Sequence, residues 1–407
     1  MNSRPLDVSE NKQGRELWSL CFPEDSDAFK DWFFAEQFPS LRNWALWEED
    51  RLTAIVYAMP YTLVCRGKTI PGSFLLGIGT HPEARHRGLM RRLLDKVHSD
   101  LAQTCAAVCL HPSDPNFYRK LGYATVADFL QIRLPMADLD PNEPRGSIET
   151  TPDFDRLAAI NRAHSESMAF HALRDRTLLA RRFADTQTGG GFCIANEQAY
   201  AFVDPGTAIL DTPETKQRVI TLTEFSYTDF AAGRSLLAAI PQAPISVLRI
   251  PNPATDPQRP DGELRFSLPV SGPRIPTPGS RIPTSGSRIL TPGSCIPTPY
   301  LMLYVLDWTT MVSGMPAKAM TAPVFSKTVH ITDDNTHWLL TVSEGTTSVS
   351  AANPTSLETI DLSLTRDQFT RWICGYSDSE DLISENVVNA DQLSFFPKQT
   401  SYFFDMY

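Results

Sequence analysis

The sequence predicts an α/β (α+β) protein of several domains, with mixed sheets flanked by helices. Three observations carry this expectation. Up to about residue 135, apolar runs of strand length alternate with segments whose apolar residues recur at helical spacing. From residue 147 the same theme returns more faintly. A proline- and glycine-rich repeat at 272–299 then sets off a last, strand-rich stretch. The chain of 407 residues has room for two or three separate cores. The expected division is 1–140, 147–270, a linker at 272–299, and 300–407.

Taken in order, helices are expected near Gly14–Cys21 and Asp27–Gln37. A meander follows, with strands at Trp44–Trp47, Leu52–Tyr57, Tyr61–Cys65 and Gly72–Thr80, turning at Glu49-Asp50 and Gly67-Lys68. A helix at Leu89–Gln103 leads to an apolar strand at Ala106–Leu110, and HPSDPNFYRKLGYATV supplies a short helix and the strand beyond it.

The most informative stretch is LLGIGTHPEARHRGLMRRLL, residues 75–94. Here a strand enters an arginine-flanked glycine turn, and Leu89, Met90, Leu93, Leu94, Val97 and Leu101 then recur at helical spacing. A helix start leaves N–H groups unpaired, and a glycine lets a ligand approach them. The donors and the positive helix end favour a pyrophosphate, with Arg85, Arg87 and Arg91 adding charge-assisted donors. The plainer alternative is a basic helix start on a solvated surface. No G-x-x-x-x-G-K-[ST], G-x-G-x-x-G or H-E-x-x-H motif competes for the anion.

Further along, helices are expected at Asp153–Ala163 and Tyr227–Ala239, with strands near Ala199–Val203 and Arg218–Phe225. No basic glycine turn follows a strand there, and Thr188–Gly191 reads as a loop. The segment GPRIPTP, GSRIPTS, GSRILTP, GSCIPTP repeats every seven residues, with too much proline and glycine for a helix or a central strand. It reads as a flexible or polyproline-like linker. The last stretch carries strands at Leu301–Leu306, Thr328–Thr332, Trp338–Val342, Thr347–Ala351 and Thr359–Leu364. Thr365 caps a helix running to Gly375.

Composition narrows the partners. A net charge of −10 without a basic block argues against a nucleic-acid carrier and suits a cationic acceptor. Seven cysteines with no CxxC pair fit reduced thiols. The N-terminus has no apolar h-region and no run of eighteen apolar residues occurs, so a cytoplasmic protein off the membrane is expected. His81 and His111 have no metal-ligand company, and no metal is expected.

With Arg85 and Gly88 in register, residues 85–90 resemble motif A of the GNAT acetyltransferases, Arg/Gln-x-x-Gly-x-small, although Met90 stands where many members carry Gly or Ala. The whole chain resembles the Eis-like (enhanced intracellular survival) acetyltransferases, which fuse two GNAT domains to one similar to sterol carrier protein 2. The likeness is strongest from Ile78 to Tyr123, fair at Tyr300–Asp307, Thr359–Tyr376 and the aromatic C-terminus, and rests on layout alone in the middle. The heptapeptide repeat departs from the family.

The resemblance implies acetyl-CoA as cosubstrate, with Ile78, Gly79 and Thr80 beside the pantetheine arm as an added strand would lie. It places the pyrophosphate at His86, Arg87, Gly88, Leu89, Met90 and Arg91, and puts Ser113 and Asp114 near the thioester. Tyr118 falls on the family's general acid, and Tyr407 where the family uses its terminal carboxylate as base. The structural alternative for Tyr118 is a core ring against Leu121. Trp32, Phe33, Phe34 and Glu36 are candidates for an acceptor pocket or for core. Glu24, Asp25 and Asp27 either attract an amine or complement a helix start. The implied activity is N-acetyl transfer to an aminoglycoside-like polyamine or lysine-type amine, in closed homo-oligomers that are often hexamers. The rival reading is a non-catalytic acyl-CoA or lipid-binding protein.

Overall fold

The computed structural model of the protein describes residues 2–135, 146–166, 168–204, 219–228, 230–240, 263–270, 298–317, 324–352, 360–396 and 401–402. Strands β1 (Asn2–Arg4), β2 (Arg42–Glu48), β3 (Arg51–Cys65) and β4 (Lys68–Thr80) form an antiparallel meander, which β5 (Ala107–Leu110) joins in parallel to β4. Alternate residues of β3 serve opposite faces, as a period of two requires. Ile55, Tyr57 and Met59 pack in one core with Leu17 and Trp18 of α1 (Asn11–Cys21). Ala54, Val56 and Ala58 pack in a second core with Leu89, Leu93 and Leu94 of α3 (Leu89–Leu101).

Two expected strands, Leu52–Tyr57 and Tyr61–Cys65, are one strand of 15 residues. Proline lacks an N–H and breaks ladders, but Pro60 sits between the end of the β2 pairing at Ala58 and the next partner of β3 at Leu63. The expected helix Asp27–Gln37 is α2 (Asp27–Trp32), capped by Ser26, followed by a π-helical turn at Phe33–Gln37.

The sheet continues through α4 (Pro115–Arg119) into β6 (Ala124–Pro135). Then come β7 (Ser147–Glu149), α5 (Phe154–Ser165), β8 (Phe170–Ala172), α6 (Arg176–Thr188), β9 (Phe192–Ala195), β10 (Ala199–Asp204), β11 (Val219–Tyr227), α7 (Phe230–Ala239) and β12 (Glu263–Val270). Helix α6 and strands β9 and β12 have no counterpart in the sequence expectations. Strand β13 (Thr298–Val305) takes in the last two residues of the expected linker and the YLMLYV segment. It enters the large sheet between β5 and β6, antiparallel to both. The described residues of this sheet make 14 strands, ordered β1-β2-β3-β4-β5-β13-β6-β12-β11-β10-β9-β7, with β8 pairing both β3 and β18 (Ser401–Tyr402).

A second sheet holds β14 (Val324–Ile331), β15 (Thr336–Ser343), β16 (Thr346–Ala351) and β17 (Leu362–Leu364) in the order β16-β15-β14-β17. The helix Arg366–Ile373 begins with a reciprocal Thr365–Gln368 capping box, as its cap residue predicts. The β3–β4 turn docks this unit: Arg66, buried and at φ 48°, donates to the carbonyls of Ile373 (2.8 Å) and Trp372 (3.1 Å). Its guanidinium carbon lies 4.4 Å from the centroid of the Phe396 ring.

Candidate active site

The site begins with a fault in the β3–β4 ladder. Ile55 pairs with Gly79 and Tyr57 with Leu76, so three steps on β4 match two on β3. This is a β-bulge, and Gly77 carries it at φ 55°. A Cβ at Gly77 would lie 2.5 Å from the Trp18 ring and 2.8 Å from Tyr57, so no side chain fits. On its other edge β4 pairs with β5 only from Gly72↔Ala107 to Phe74↔Cys109. Past Phe74 the two parallel strands have no pairing among the described residues. The edge of β4 holding Ile78, Gly79 and Thr80 therefore has no strand partner among the described residues, as addition of an extended arm requires; the Thr80 carbonyl accepts from Arg85 Nε at 3.2 Å.

Beyond Thr80 the backbone folds into an anion cradle. His86 (φ 62°) and Gly88 (φ 70°) are both left-handed, with Arg87 between them; such alternation makes concave N–H nests. Gly88 caps α3 without a side-chain bond, and a Cβ built there meets nothing within 4 Å, so the helix start is open. The first intrahelical bond is from Arg92 N–H to the Gly88 carbonyl at 3.2 Å. The N–H groups of Leu89, Met90 and Arg91 precede it and point out of the helix start. Residues 85–88 and Arg91 are exposed, while Leu89 is buried beneath them. The arginines are not equivalent. Arg87 is held as an ion pair by Glu48 at the end of β2, whereas Arg91 makes one long contact to the Lys120 carbonyl (3.4 Å). Pairing with Arg87 holds the Glu48 carboxyl below its usual range.

Tyr118 follows the end of β5. It lies on α4, whose N-cap Asp114 accepts a hydrogen bond from the Asn116 N–H at 2.9 Å. Ser113 and Asp114 are exposed after the end of β5, whereas Tyr118 is 5% exposed. Its ring joins the core beneath α3, with Leu121 at the margin. Burial, and secondarily the Asp114 charge, pushes the phenol pKa well up, so the ring stays protonated. Among the described residues its hydroxyl has no hydrogen-bond partner.

On the α1 side, Phe33 and Phe34 are core residues packed around Trp18 and Tyr57, Trp32 is partly buried, and Glu36 is exposed. Sequence reasoning passed over Trp18, which packs against the bulge and donates to Asp25 Oδ2 at 2.6 Å. Burial raises the Asp25 pKa, and Glu24 adds to the rise. Asp27 is paired with Arg15 and Lys30. The one available signal for the bulge was the Gly-Ile-Gly run at 77–79, where an isolated strand glycine marks a bulge. Tyr407 and most of the heptapeptide repeat lie outside the described residues. Among the described residues no group of three His, Cys, Asp or Glu could hold a metal, and no helix is long and apolar enough to cross a membrane.

A bulged strand splayed from its parallel neighbour and feeding an open helix N-terminus is the acyl-CoA-binding arrangement of GNAT acyltransferases. Residues 2–126 match the family model described as an acetyltransferase (GNAT) domain. The chain carries that domain and is an acyltransferase.

At the level of whole structures it is similar to a probable N-acyltransferase from Enterococcus faecalis, at 17% identity and TM-score 0.72, covering 100% of this chain and 99% of that one. A GCN5-related N-acetyltransferase from Anabaena variabilis superposes at TM-score 0.74 with 11% identity and full coverage of both chains. Eis1 from Mycobacterium abscessus does so at 0.66 with 14% identity, again over 100% of both. At such identities these likenesses describe the fold. No protein with a curated description matches the chain.

Proposed function

We propose that the protein is an Eis-like N-acetyltransferase that moves acetyl from acetyl-CoA directly to a primary amine, of an aminoglycoside-like polyamine or a lysine-type acceptor. The observation that carries this reading is the end of the β4–β5 pairing at Phe74, together with the open Gly88 helix start after β4 and a buried Tyr118 on the helix after β5. The pyrophosphate rests on the 86–91 backbone and Arg91, and the pantetheine arm adds along Ile78–Thr80. The neutral amine attacks the thioester carbonyl, a C–N bond forms, and strand N–H groups hold the oxyanion. As the C–S bond breaks, Tyr118 gives its proton to the sulfur; the amine proton goes to the base.

The base is the α-carboxylate of Tyr407. Strand β18 supports this choice, because it runs parallel to β8 and so antiparallel to β3. It heads from the β3–β4 turn toward the end where β4 delivers the bulge. The five residues after Tyr402 reach about 17 Å when extended. The chain's net charge of −10 suits a cationic acceptor. In this reading residues 1–140 hold the cosubstrate, 147–270 form a second GNAT-like domain without a basic turn, and 300–407 form a sterol-carrier-like domain.

The test is release of CoA thiol across a panel of amines, with Tyr118→Phe as comparison. At least one polyamine or lysine-type amine is expected to raise release above hydrolysis, and Tyr118→Phe to lower kcat by roughly 10²–10⁴. No acceptor-dependent release, with acetyl-CoA bound, would leave a binding protein instead.

A further inference from the structure

Tyr118 has no hydrogen bond among the described residues to hold its ring, so whatever fixes its aim must act through packing. We infer that His98 and Tyr123 form a positioning pair for Tyr118, clamped by Tyr304 and Arg366 from the C-terminal third of the chain. The inference rests on the proposed role of Tyr118 as acid.

The contacts form one continuous stack. His98, on the buried side of α3, has Nε2 2.7 Å from the Tyr123 hydroxyl. Tyr123 meets the Tyr118 ring edge to face, with centroids 5.6 Å apart at 73°. The Tyr123 N–H also donates to the Tyr118 carbonyl at 3.1 Å, so the two residues share one turn. On its other side His98 stacks on Tyr304 of β13, centroids 4.2 Å apart and planes 14° off parallel. The Arg366 guanidinium carbon lies 4.7 Å from the Tyr304 centroid. Arg366 is itself fixed by the Val305 carbonyl (2.8 Å) and Asp334 (2.6 Å).

A core filler needs no polar atoms, and a phenylalanine and a leucine in place of Tyr123 and His98 would fill comparable space without burying a hydroxyl and an imidazole. What the polar pair adds is direction, since a hydrogen bond sets where the end of the Tyr123 ring lies and therefore which face it offers to Tyr118. The charge state fits. Burial, and then the nearby Arg366, lowers the His98 pKa to about 4, so the ring is neutral and places no cation beside the phenol. The pairing of β13 between β5 and β6 is what lays Tyr304 on His98.

The experiment compares Tyr123→Phe, His98→Leu and His98→Gln, each alone and with Tyr118→Phe. Tyr123→Phe keeps the ring and loses the bond; it is expected to lower kcat roughly tenfold or more, as small misplacements of reacting groups do. Calorimetric acetyl-CoA affinity and KM should stay within about twofold, since the substrate-binding groups are untouched. His98→Gln should recover most of the turnover lost in His98→Leu, because the amide can still bond the Tyr123 hydroxyl. In the Tyr118→Phe background all three changes should have no further effect on kcat, as expected for groups acting through one residue. Should Tyr123→Phe fail to fold, the two His98 variants carry the same comparison. Wild-type kcat in Tyr123→Phe and His98→Leu, or losses that multiply with Tyr118→Phe, overturn the positioning role while leaving the acid intact. An unchanged kcat in Tyr118→Phe removes the acid itself, and the inference falls with it.

Discussion

At position 88 two requirements coincide: the backbone is left-handed, and the space a side chain would take is the ligand's. Gly88→Ala meets only the first, at about 1–2 kcal/mol of local strain, whereas Gly88→Glu also puts a carboxylate where the phosphates go. Calorimetry with coenzyme A should show roughly a 10–100-fold loss for Gly88→Glu, the worth of one or two charge-assisted bonds; a wild-type isotherm would remove the cradle from the cofactor site. Two buried histidines titrate below their usual range. Burial and Arg366 lower His98 to about 4, while burial and Arg174 lower His171 to about 4. The unfolded chain takes up these protons near pH 6.5 and the folded chain only near 4. Their contribution is therefore complete above pH 6.5 and falls as pH drops toward 4, by up to about 1.4 kcal/mol per pH unit for each ring. Melting temperature should decline between pH 7 and 5, and the decline should flatten in a His98→Gln/His171→Gln double variant. An equal slope in both proteins would assign the acid sensitivity elsewhere.

Among the elements, the turn between β3 and β4 has a task that its Arg66-Gly67 sequence does not announce. Arg66 supplies donors to the last carbonyls of the helix Arg366–Ile373, groups that no intrahelical N–H can reach. Arg66→Ala leaves the Ile373 carbonyl with only the weak Cys65 thiol donor and the Trp372 carbonyl with the Gly375 N–H, and it strips the cation from Phe396, a loss of roughly 1–3 kcal/mol. Urea unfolding followed by tryptophan fluorescence should show the midpoint moving down; an unmoved midpoint would mean that apolar packing alone docks the C-terminal unit. The β3 strand shows where local reading stops. Pro60 ends a strand when neighbours are unknown, yet here it falls between two successive partners on one edge, a coincidence of register beyond local pattern.

Across the whole molecule, β12 and β13 flank β6 on opposite sides, with Val270 and Pro299 both opposite Asp128. Two strand spacings, about 10 Å, separate those ends, although the chain spends 27 residues, 271–297, between them. Replacing 273–292 by nothing leaves seven residues, ample reach at about 3.3 Å each, and a shorter loop closes at slightly lower entropic cost. Folding and turnover should therefore survive that deletion; a melting temperature lower by ten degrees or so would show that the repeat itself contributes contacts. The resemblance also implies a homo-oligomer: light scattering should give a multiple of the 45.4 kDa chain mass, and a monomer mass at micromolar protein would contradict it.

The sequence by itself determined what is local. The strand–turn–helix from Leu75 to Leu94 is legible because glycine, arginine and apolar spacing act within one stretch of backbone, and the Asp114–Tyr118 helix start is legible for the same reason. The Thr365 capping box reads equally well, since it closes over four residues. Tertiary structure decided what depends on partners distant in sequence. YLMLYV has a strand's composition wherever it goes, but only packing places it between β5 and β6 rather than in the smaller sheet. The bond from His98 to Tyr123 spans 25 positions and two elements, and no periodicity in either element encodes it. Side-chain spacing sets which face of an element is apolar; which other face it meets is settled when several such faces compete to leave water together.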